Sequence, residues 1–142
     1  MLNKFPFLLL AMTMALSANI HAADAHHGHE HGSPAPVLRL DAGKPWPTDE
    51  PLRQAMGEIN QAMAKALPTI HRQAFGDGEY QALAATVRER VAYVVDHCKL
   101  EAQADAMLHL VIADLLAGAE IMDGKTANPR HDGAVRVRAA LK

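Results

Sequence analysis

Thr48-Asp49-Glu50-Pro51-Leu52-Arg53-Gln54-Ala55-Met56-Gly57-Glu58-Ile59-Asn60, continuing to Ile70, is the stretch that decides the fold. Its apolar positions are Leu52, Met56, Ile59, Met63, Ala66 and Ile70. They are separated by steps of 4, 3, 4, 3 and 4, the spacing that keeps one stripe of a helix facing a core. An N-cap residue, two first-turn acids and a proline tolerated in the first turn mark its start at Thr48. The stripe runs through Pro68, which predicts a kink there rather than a stop. Gly76-Asp77-Gly78 is expected to end this helix A.

The same rhythm continues downstream. Helix B is predicted from about Glu79 to His97, with Tyr80, Leu83, Val87, Val91, Val94 and Cys98 inward. Helix C is predicted from about Ala102 to Met122, with Ala104, Leu108, Val111, Leu115, Gly118 and Met122 inward and Asp123-Gly124 as its stop. It is the most apolar of the four and is expected to be the most buried. Helix D begins near Asp132 with Ala134, Val137 and Leu141 inward, and only about ten residues remain before Lys142. The fold class that follows is all-α, an antiparallel up-and-down four-helix bundle over residues 48–142 with a short or truncated fourth helix. A short helix D predicts either a longer natural chain or a partner, because Val94, Leu108 and Val111 would otherwise form a sticky patch. The partner is expected to be a second copy, bridged through Cys98, or another periplasmic protein.

Upstream, the chain changes character twice. Lys4 followed by the apolar run from Phe5, ending at Ile20-His21-Ala22, has the three regions of a secretory signal peptide over residues 1–22. Cleavage is expected after Ala22, which places the mature chain in the periplasm with no remaining membrane segment. Residues 23–36 form a disordered tail containing His26-His27-Gly28-His29-Glu30-His31, four imidazoles within six residues, followed by Ser33-Pro34-Ala35-Pro36. Imidazole binds first-row transition metals, and a flexible backbone lets several of them wrap one ion. His26, His27, His29 and His31, with Glu30 as an oxygen donor, are therefore expected to capture copper, nickel or zinc, copper most tightly. Residues 37–47 alternate like a strand at Val37-Leu38-Arg39-Leu40 but have no partner strand in the sequence, and are predicted to form an extended arm. That arm carries Trp46 onto one end of the bundle.

Composition excludes several functions. Charge is balanced, with 14 Lys+Arg against 16 Asp+Glu, so no basic nucleic-acid surface is expected. A single Cys leaves no cysteine-pair motif and no internal disulfide. There is no nucleophile elbow, H-E-x-x-H or Gly-rich phosphate loop, so the protein is expected not to be an enzyme. Within the bundle, counting from the turns brings Met56 level with His97 and Cys98. Thioether, imidazole and thiolate together would make a soft-metal cluster. The plainer reading is that Met56 and Cys98 are core and His97 caps a helix end. His109, one position from Leu108, reads as a satisfied helix histidine.

Two resemblances rest on particular residues. The Leu52–Asn60 stretch, with Met107-Leu108-His109-Leu110-Val111-Ile112, resembles the first and third helices of the small periplasmic b-type cytochromes. That likeness puts Met56 at the position of the axial methionine of a non-covalent haem. The histidine ligand of that family belongs to the last helix, beyond the position of Lys142, so a transition-metal ion is expected here rather than haem. Second, Trp46 with Thr48-Asp49-Glu50-Pro51-Leu52-Arg53-Gln54, Cys98-Lys99-Leu100 and Ala104-Asp105-Ala106-Met107-Leu108-His109-Leu110, behind a His-rich N-terminus, is similar to DnrO-like exported bacterial proteins. That resemblance implies location and fold and carries no activity.

Overall fold

A computed structural model describes residues 36–142. The expected signal peptide and cleavage site, and His26, His27, His29, Glu30 and His31, lie outside these residues. Within them the chain is all-helical, with four helices and no strand. The helices are α1 (Glu50–His71), α2 (Asp77–His97), α3 (Ala102–Met122) and α4 (Arg130–Ala140). Each packs on the next, and α4 returns to α1.

The starts of α1 and α2 follow from local chemistry. Asp49, rather than Thr48, is the N-cap of α1, and its Oδ1 accepts the Leu52 N–H at 3.0 Å. Pro51 sits in the first turn, where its missing N–H has no helical partner to lose. At the start of α2, Glu79 reaches back and accepts the Gly76 N–H at 2.7 Å, half of a capping box.

Where α1 stops is a correction to the expected boundary. The helix passes Pro68 and ends at His71, short of Gly76. Gln73 takes a left-handed conformation (φ 56°) just past the C-cap Arg72. The Gln73 N–H reaches Ile70 O (2.9 Å) and the Ala74 N–H reaches Thr69 O (3.1 Å). That pair of bonds is a Schellman motif, which satisfies the last carbonyls of the helix. The same motif closes α3, with Gly124 (φ 76°) in the left-handed position and bonds from Gly124 N to Ile121 O and Lys125 N to Glu120 O. Glycine announces the second stop in the sequence. Glutamine hides the first.

The predicted stripes form the core. Leu52, Ile59, Met63, Ala66 and Ile70 of α1 are buried, as are Tyr80, Leu83, Val87, Val91 and Val94 of α2. Ala104, Leu108, Leu115, Gly118 and Met122 of α3 join them, with Ala134 and Val137 of α4. Burying each large apolar side chain stabilises the fold by roughly 1.5–3 kcal/mol relative to exposure. Two clusters result. The larger is built around Ile59, Met63, Val87, Leu115, Met122 and Val137, and Phe75 lies edge-on to Tyr80 beside it at 4.8 Å between ring centres. The smaller consists of Leu52, Ala55, Val94 and Leu108.

Helices α3 and α4 meet backbone to backbone. A Cβ on Gly133 would lie 2.5 Å from Gly118 O and 2.7 Å from Met122 N, and one on Gly118 would lie 2.9 Å from Gly133 O. Only glycines permit that approach. Polar ties cross between elements on the outside: Arg90 to Glu58 (2.8 Å), Arg88 to Asp123 (3.0 Å) and Arg136 to Asp114 (2.7 Å). Arg138 adds a bond from α4 to Asn60 of α1 at 2.8 Å.

The sticky patch expected from a short fourth helix does not form as drawn. Val94 is 1% exposed and Leu108 8%, and Val111 is half-buried. Val94 and Leu108 pack with Leu52 and Ala55 between the helices, and beside Leu108 and Val111 lies the arm. It folds back through a tight turn in which Asp41 and Lys44 exchange both backbone hydrogen bonds (2.9 and 2.8 Å). Ala42 and Gly43 both take positive φ, as a primed two-residue turn requires. Trp46 Nε1 then donates to the Arg39 carbonyl at 2.6 Å, which locks the two limbs of the arm together.

Candidate functional site

The end of the helical domain where α1 begins and α2 ends is organised by Asp49. Its Oδ1 caps α1, and its Oδ2 accepts the backbone N–H of Lys99 at 2.6 Å. The Cys98 thiol lies 3.4 Å from the same Oδ1. One carboxylate therefore fastens the first helix to the α2–α3 turn, across 50 residues of chain. The Lys99 and Leu52 N–H groups hold the Asp49 carboxyl below its ordinary range, because they stabilise the charged form. Burial, with the neighbouring Asp49 carboxylate, pushes the Cys98 thiol up to about 11. At neutral pH Cys98 is thus a protonated donor to Asp49. It has neither the thiolate nor the electropositive surroundings of a reactive cysteine.

Of the three side chains expected to share this end, two share a cluster and His97 stands apart. Met56 and Cys98 both pack against the small cluster of Leu52, Ala55, Val94 and Leu108. His97 is exposed; its Nδ1 lies 2.9 Å from the Tyr93 carbonyl and its ring stacks on Tyr93 at 4.3 Å. Such a contact to a carbonyl places the proton on Nδ1 and leaves Nε2 open to solvent. His109 makes the same bond one turn back, to the Asp105 carbonyl at 2.9 Å. Both rings thus follow helix geometry. Among the described residues, no three of His, Cys, Asp and Glu are grouped to hold a metal ion.

What sequence reasoning missed lies next to Met56. A groove of about 570 Å³ runs between the arm and helices α1, α3 and α4. Trp46, Leu52, Met56, Leu108, Val111 and Leu141 supply much of its apolar wall. The arm brings Leu38, Leu40 and the prolines flanking Trp46 to the same groove. The helical stripes could not reveal it, because one side belongs to the non-helical arm.

The groove does not fit haem. Its lining holds two thioethers, Met56 and Met107, and no imidazole or thiolate among the described residues. A low-spin b-type centre of the kind the cytochrome resemblance implies needs a histidine opposite the methionine. At the opposite end, a more polar cavity of about 840 Å³ is lined by His71, Asp77, Tyr80, Arg130 and His131 among others. Arg130 is committed there, with Nε 3.2 Å from Asp77 and Nη1 donating to the Met122 carbonyl. None of the described helices is long and apolar enough to cross a membrane. Comparison of the chain with family models, with curated proteins and with solved structures finds no match.

Proposed function

We propose that this is an exported, periplasmic, non-catalytic metal-handling protein of the DnrO-like kind. Its working part is the histidine tract His26, His27, His29 and His31, with Glu30, and its cargo is copper, nickel or zinc. The observation that carries the reading is the local density of imidazole, four in six residues, next to a Pro-containing spacer and behind a secretory leader. Such a tract binds several metals with an affinity order set by the metal, copper first, and so serves capture rather than selective chemistry. The pairings α1–α2, α2–α3, α3–α4 and α4–α1 support an antiparallel up-and-down bundle as the tract's carrier.

Cys98, His97 and Met56 belong in this reading to the carrier. Moving Cys98 into a metal site would require losing its proton next to the Asp49 carboxylate, against the direction in which that environment pushes. The test is isothermal titration of the chain beginning at Ala23 with Cu(II), Ni(II) and Zn(II). A variant with all four tract histidines changed to serine is expected to lose most of the binding, and Cys98→Ser to keep it. Equal stoichiometry with and without the tract would overturn the proposal.

A further inference from the structure

We propose that the groove beside Met56 binds a small amphipathic anion of the fatty-acid type, one unbranched apolar chain with a single carboxylate. Three observations carry this. The volume, about 570 Å³, lies within the ~300–1,000 Å³ range of small-ligand sites. The wall is built from apolar side chains contributed by four separate elements, and Leu52, Ala104, Met107 and Leu108 in it are buried. The charged residues in the lining are all basic: Arg39, Arg53 and Lys142, each exposed, with no acidic side chain among them.

That bias stands out against a chain whose formal net charge is −2. Arg53 is partly engaged, with Glu50 at 2.7 Å and the Thr48 carbonyl at 2.5 Å. Arg39 and Lys142 form no ion pair among the described residues. An apolar chain on Met56, Leu108 and Val111, with its carboxylate in the water-facing basic border, satisfies both halves of the lining. A cation would meet the like charges of Arg39 and Lys142. A neutral alcohol of equal length would gain the wall and not the border.

The protein carries its own reporter, because its only tryptophan, Trp46, lines the groove. The chain beginning at Ala23 is titrated with octanoate, decanoate and dodecanoate below their micelle thresholds. The matching alcohols and dodecyltrimethylammonium serve as controls, and Trp46 emission is followed. The expected result is a saturable change at one ligand per chain. Affinity should rise by as much as about fourfold per added methylene, the factor for full burial of a CH₂. The carboxylate should bind more tightly than the alcohol, and the ammonium should not bind.

Arg39→Gln with Lys142→Gln should erase the advantage of carboxylate over alcohol while leaving the alcohol unchanged. Val111→Phe should fill the groove and weaken every ligand at least tenfold; if it unfolds, the Gln pair still decides. Changing His26, His27, His29 and His31 to serine should leave these affinities unaltered, so this site and the metal tract stand or fall separately. Equal affinity for acid and alcohol, or no dependence on chain length, would overturn the proposal. So would a Trp46 signal that depends on protein concentration alone, which would make the groove a contact between copies of the chain.

Discussion

Gln73 shows how much a single residue can hide. It holds a left-handed conformation that costs a residue with a Cβ about 1–2 kcal/mol, in a helix stop where glycine is usual. Gln73→Gly should therefore raise the stability by about 1 kcal/mol, less the extra chain entropy of glycine in the unfolded state. A thermal melt followed by circular dichroism should show a higher midpoint, and an unchanged or lower one would refute the account of this turn. The residue also marks a limit on reading sequence. Turn glycines announce themselves, as Gly124 does at the end of α3. A left-handed glutamine has no local mark, so helix A appeared to run on toward Gly76. Asp49 is the counterpart at the other end of α1. Its place as a cap was half visible in Thr48-Asp49-Glu50-Pro51, but its bond to Lys99 spans a sequence distance that no local pattern reports.

Among the elements, α3 and α4 are the pair most dependent on shape. Gly118 lay on the predicted inward stripe, and Gly133 did not. The two are legible as a pair only when the helices are brought together, since each alone reads as a weak point in a helix. Gly133→Ala places a methyl against backbone atoms of α3, at 2.5 Å from Gly118 O and 2.7 Å from Met122 N, where no rotamer change can relieve it. The helices must separate, at a cost of about 1–3 kcal/mol. The expected readout is a lower denaturant midpoint with little change in slope. A substitution at Gly57, where a Cβ would meet nothing within 4 Å, serves as the matched control and should be neutral or slightly stabilising. Should Gly133→Ala behave like Gly57→Ala, the close crossing would be wrong.

At the scale of the whole fold, three carboxylates with lowered pKa among the described residues bind different parts together. Lys99 and Leu52 N–H groups hold Asp49 down, Gln54 and Arg90 hold Glu58 down, and Lys125 and Arg88 hold Asp123 down. In each case the folded state favours the charged form. Their contribution to stability is thus complete above the ordinary values of 4.5 for Glu and 3.8 for Asp. It is lost as pH falls through the still lower folded-state values. Melting temperature should accordingly be flat near neutrality and fall below about pH 4, with a smaller fall in Asp49→Asn because one of the three groups no longer titrates. A melting temperature that rises on acidification would contradict the assigned ties. Salt should weaken the Arg90–Glu58 and Arg88–Asp123 ties only modestly, since both are part-buried and screened less than exposed pairs.

The sequence by itself determined the helical class, the order of four helices and most inward positions, because a stripe at steps of 3 and 4 is a property of each helix taken alone. The expected leader and the histidine tract, on which the proposed metal function rests, are likewise readings of composition that need no fold. Only the tertiary structure decided the Asp49 clasp, the backbone contact of Gly118 with Gly133, and the arm that turns back at Ala42–Gly43 to make a groove with Met56. Those features depend on atoms far apart in the chain meeting in space, and periodicity carries no information about distance between segments.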